Sequence, residues 1–73
     1  MDNNNLDVTH IERVRLSLER NKLEGELHDD GRFVHVQLDS GRTFQVSHLY
    51  LRMANTRTLD KRVKEGAGLK VSF

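Results

Sequence analysis

The run Leu23-Glu24-Gly25-Glu26-Leu27-His28-Asp29-Asp30-Gly31-Arg32-Phe33-Val34-His35-Val36-Gln37-Leu38-Asp39-Ser40-Gly41-Arg42-Thr43-Phe44-Gln45-Val46-Ser47 decides the fold. Its apolar residues alternate with polar ones, the period of a half-buried strand. Val34, Val36 and Leu38 fall on one side, with Phe33, His35 and Gln37 on the other. Asp29-Asp30-Gly31 and Asp39-Ser40-Gly41 interrupt the alternation, and each ends in the residue that takes a positive φ at no steric cost. Phe44 and Val46 then continue the inward row. The segment is expected to form a three-strand antiparallel meander.

Upstream, Arg13-Val14-Arg15-Leu16-Ser17-Leu18-Glu19-Arg20 also alternates and reads as a strand with Val14, Leu16 and Leu18 inward. A helix is the rival, because Ile11, Val14 and Leu18 also follow helical spacing, with Thr9 or Asp7 available as a cap. Asn21-Lys22 turns the chain into the meander. Residues 1–7, with Asn3, Asn4 and Asn5 in succession, offer little to bury and are expected to be a flexible tail ahead of one small domain spanning 8–73.

Downstream, Ser47 suits the N-cap of a helix from His48, in which Leu49, Tyr50, Met53 and Ala54 would form an apolar stripe. A second short helix is expected from Thr58, with Leu59 and Val63 inward and Gly66 as a left-handed cap. Leu69, Val71 and Phe73 alternate with Lys70 and Ser72, as a closing strand would. The expected class is α+β, with four to five antiparallel strands and a helical segment before the last. These would close into an SH3-like barrel or form a small open sheet covered by a helix.

Seventy-three residues hold one core. Net stability is expected at about 5 kcal/mol, which argues against a buried polar catalytic cleft and hence against an enzyme. The absence of Cys removes disulfides, thiolate metal sites and cysteine nucleophiles. Met1 leads into Asp2 and three Asn with no basic flank or apolar run, and no segment is long and apolar enough to span a bilayer, so a cytoplasmic location without membrane contact is expected. The net charge of +1 conceals an asymmetry. Residues 1–48 carry six Lys+Arg and nine Asp+Glu, or −3, whereas 49–73 carry six and two, or +4. Such a two-signed surface can steer a partner.

No spacing supports catalysis or metal binding. His10, His28, His35 and His48 form no i, i+2 strand pair or i, i+4 helix pair, and only His28 and His35, across the Asp29–Gly31 turn, have a reason to approach. Ser40 and Ser47 suit turn and cap chemistry, and Glu24 and Glu26 a solvated strand face. No cofactor is expected. The alternative function, a small nucleic-acid-binding module, rests on the basic set Arg52, Arg57, Lys61, Arg62, Lys64 and Lys70. Against it, Phe33 is the one aromatic placed for exposure on a strand, so a base-stacking platform is minimal. Phe33 among His35 and Gln37 instead suits a protein interface.

The opening Met1-Asp2-Asn3-Asn4-Asn5, the run Arg13–Leu18 and the ending Gly68-Leu69-Lys70-Val71-Ser72-Phe73 give the chain a whole-length likeness. It resembles the small transcription regulators of lytic Xanthomonas phages. The resemblance implies a non-catalytic protein that binds the N-terminal region of the bacterial RNA polymerase β′ subunit. It would inhibit host initiation by displacing the σ factor, and act in elongation as an antiterminator near the RNA exit channel, with other elongation factors as further partners. A monomer is expected. The resemblance carries no residue-level motif, so the expected partner contacts come from the surface reading: Asn3, Asn4, Asn5, Arg13, Arg15 and Phe33.

Overall fold

The structure, a computed structural model, describes residues 9–69. Helix α1 (His10–Arg20) precedes three strands, β1 (Gly25–Asp29), β2 (Phe33–Leu38) and β3 (Thr43–Ser47), and helices α2 (His48–Met53) and α3 (Thr56–Gly66) complete the described chain. The class is α+β, as expected.

The first segment is a helix rather than a strand. Thr9 caps it by accepting the Glu12 N–H at 3.1 Å. Val14, Ser17 and Leu18 are buried while Leu16, inward in the strand reading, is 38% exposed. Three apolar residues at even spacing fit both periods, and the cap with the stripe Ile11, Val14, Leu18 settles the outcome. The helix ends at Arg20, capped by Asn21, and Lys22 after it holds a φ of 58°. The Leu23 N–H reaches the Leu18 carbonyl and the Lys22 N–H that of Glu19, a Schellman closure.

The meander forms as expected, antiparallel in the order β1-β2-β3. Val36 stands between Leu27 and Phe44, and Val34 opposite Val46. Asp29 accepts from the Gly31 N–H and Asp30 from those of Arg32 and Phe33, so carboxylates tie the first turn. The inner face supplies Val34, Val36, Leu38 and Val46 to a core shared with Val14, Leu18, Leu51, Leu59 and Val63. All three helices contribute to this core.

Three helical details differ from expectation. Leu51 is the buried residue of α2, and Leu49 and Met53, expected in the inward stripe, stand 63% and 80% exposed. A helix of six residues presents only one such position to the core, and Leu51 fills it. Helix α3 starts at Thr56, two residues before Thr58, because Asn55 caps it by accepting the Thr58 N–H at 2.8 Å. Its left-handed cap is Gly68, with a φ of 78°, rather than Gly66. The Leu69 N–H bonds the Lys64 carbonyl and the Gly68 N–H that of Glu65. Gly66 serves packing: a Cβ there would lie 2.4 Å from Phe44 Cγ.

The described sheet therefore has three strands, not four to five, and does not close into a barrel. The first expected strand is α1. Of the expected closing strand over 69–73, residues 70–73 lie outside the described residues, and Leu69 belongs to no regular element.

Polar clamps join the helices. Ser17, fully buried, donates to Asp60 Oδ1 at 2.6 Å, and Arg20 grips the same carboxylate at 2.8 and 3.0 Å. Arg13 donates to the carbonyls of Leu51 and Ala54, where α2 ends. Among the described residues no helix is long and apolar enough to cross a membrane.

Candidate partner-binding surface

The turn from α2 into α3 creates a groove lined by Leu49, Tyr50, Met53, Ala54 and Thr58. Its geometry follows from three local rules. Ser47 starts α2 by accepting the Tyr50 N–H at 2.9 Å, Leu51 must enter the core, and Leu49 and Met53, one turn apart, then point outward. The Tyr50 hydroxyl donates to the Thr58 carbonyl at 3.3 Å and links the walls. Two large apolar side chains exposed side by side are what a docking surface supplies and a monomer core does not need. Sequence reading missed this pair by assigning both residues to the core. Two apolar residues outside the period set by Leu51 were the available signal.

The exposed face of the sheet carries Phe33, half-buried beside His35 with ring centroids 6.1 Å apart. Phe33 thus lies outward, as expected. His28 and His35 are cross-strand partners with stacked rings 6.2 Å apart, the one approach the spacing anticipated. His35 is bound to Asp30 at 2.7 Å. That bond, then the N–H groups of Phe33 and Arg32, hold the Asp30 carboxyl far below the usual carboxylate range.

A second histidine pair has no counterpart in the sequence reading. His10 and His48 meet through their Nδ1 atoms at 2.8 Å, and His48 Nε2 bonds Asp29 Oδ1 at 2.8 Å. The chain Asp29–His48–His10 joins the end of β1 to the starts of α2 and α1. Partial burial, then the charges of His48, Arg13 and Arg52, lower the His10 pKa against a smaller opposing effect of Asp29. The His48 hydrogen bond and the Gly31 N–H lower that of Asp29. Among the described residues no group of three or more His, Asp or Glu is placed to hold a metal ion.

The remaining site residues are dispersed. Arg13 is half-buried in its clamp on α2, whereas Arg15 is exposed and paired with Glu12 at 2.7 Å. Asn3, Asn4 and Asn5 lie outside the described residues, as does Lys70. Arg57, Lys61 and Lys64 follow one line on α3 opposite Leu59 and Val63. Arg62 departs from that line: it donates to the Gln45 carbonyl at 3.2 Å and covers the Phe44 ring at 5.8 Å. Arg52 lies in the last turn of α2, next in sequence to the groove residue Met53. The basic set is thus divided between two helices and a strand contact.

Comparison of the chain with protein-family models, with curated proteins and with solved structures found no match.

Proposed function

We propose that this protein is a non-catalytic transcription regulator that binds bacterial RNA polymerase at the N-terminal region of the β′ subunit. It excludes the σ factor from the host enzyme and acts on elongation as an antiterminator. The observation that supports this reading best is the groove with Leu49 and Met53 exposed on its rim, a surface suited to docking against another protein. Residues Asn3 to Asn5 and Phe33 enter the reading as further contacts. The resemblance of the sequence to small phage regulators supplies the partner.

The reading is tested with purified holoenzyme and a promoter template. Added protein is expected to release σ and abolish promoter-dependent initiation. The variant Leu49→Asp/Met53→Asp is expected to lose at least about tenfold in affinity, the scale of losing two central apolar contacts. Its fold should survive, because both side chains are outside the core. Unchanged σ retention at saturating protein would refute the reading.

A further inference from the structure

We infer that the α2–α3 groove takes a short acidic protein segment bearing two apolar anchors. The inference rests on the protein-docking reading above and adds the chemistry of the occupant. Leu49 and Met53 supply apolar contact one helical turn apart, and Tyr50, also in the lining, has its hydroxyl already engaged by the Thr58 carbonyl. Charge decides what flanks the anchors. From Ser40 to Leu59 the chain carries Arg42, Arg52 and Arg57 and no Asp or Glu. Of the carboxylates outside this stretch, Asp29 is engaged by His48 and Asp60 by Arg20 and Ser17. Arg52 and Arg57 are exposed, and neither forms an ion pair among the described residues. An apolar groove with no carboxylate in its lining, and with an exposed arginine next in sequence to each of the lining residues Met53 and Thr58, complements an acidic, not a basic, segment.

The groove carries its own reporter, since Tyr50 is the single Tyr of a chain without Trp. The full chain is titrated with a short synthetic peptide holding two leucines one helical turn apart among Glu and Asp, free of Tyr and Trp. Tyr50 emission is expected to change saturably. The same peptide with Lys for its acids, or Ala for its leucines, is expected to bind at least about tenfold more weakly. The variant Arg52→Glu/Arg57→Glu is expected to reverse the charge preference and accept the Lys peptide, a gain that a merely unfolded variant cannot show.

Equal binding of the Lys and acidic peptides would overturn the inference, as would no response of Tyr50. So would a Tyr50 response to anionic phosphatidylglycerol vesicles with none to the peptide, or a concentration-dependent dimer abolished by Met53→Asp. The outcomes separate the two proposals. Peptide binding without polymerase binding removes only the polymerase as partner. Polymerase binding that is indifferent to Arg52→Glu/Arg57→Glu and accompanies a silent peptide titration removes only the groove's occupant.

Discussion

His10 and His48, 38 residues apart in the chain, share one hydrogen bond between their Nδ1 atoms at 2.8 Å. One of the two must donate and the other accept, so the pair tolerates one added proton and not two. Double protonation would set two N–H groups against each other at the junction of α1 and α2.

The pH dependence of stability follows from the His10 ring, whose pKa lies below its ordinary 6.5, first because of burial and then because of His48, Arg13 and Arg52. The fold favours the neutral ring. Its stability is therefore full above pH 6.5 and declines as the pH falls through the lower folded-state value. Thermal unfolding followed from pH 7.5 to 5.5 is expected to show a falling midpoint, and His10→Gln a flatter profile. A midpoint that rises on acidification would contradict this.

Lys22 holds a left-handed φ of 58° that a side chain disfavours. Lys22→Gly removes that strain while adding freedom to the unfolded chain, for an expected net gain of about 0.5–1 kcal/mol. Chemical denaturation should show a higher midpoint at unchanged slope. A loss of stability would show that the Schellman closure does not need a glycine here.

Gly66 is expected to reject even alanine. Ala is the better helix former by about 1 kcal/mol, yet its Cβ would sit 2.4 Å from Phe44 Cγ. Overpacking of this kind costs about 1–3 kcal/mol, so Gly66→Ala should lower the melting midpoint. Adding Phe44→Leu should recover part of that loss in a double-mutant cycle.

Asp60 joins α1 to α3. Burial raises its pKa, but the hydrogen bonds from Arg20 and Ser17 outweigh this and leave it below the ordinary 3.8. Its stabilisation is present above pH 3.8 and lost as the pH falls through the lower folded value. Asp60→Ala leaves the buried Ser17 hydroxyl without its acceptor and is expected to cost about 1–3 kcal/mol. Pairing it with Ser17→Ala should cost less than the sum of the single changes.

The sheet was legible because alternation and two glycine-ended turns agree over 25–47. Ser47 as a cap and Leu59 and Val63 as core residues were legible for similar local reasons. Helix α1 was not, since its apolar residues fit a strand through Val14, Leu16 and Leu18 as well as a helix through Ile11, Val14 and Leu18, and the Thr9 cap and the fit of Ser17 against Asp60 add to the helical side. The groove escaped notice because the sequence does not say which residue of a short helix meets the core. When Leu51 takes that place, Leu49 and Met53 are left outside. The His10–His48 contact depends on α1 crossing the start of α2, a tertiary relation that no spacing within one element encodes.

The most direct test is a solution NMR titration of the isotope-labelled protein with the isolated N-terminal fragment of the β′ subunit. Saturable shift changes confined mainly to Leu49, Tyr50, Met53, Ala54 and Thr58 are the expected result. An unchanged spectrum at saturating fragment, or changes that leave these residues untouched, would contradict polymerase docking through the α2–α3 groove.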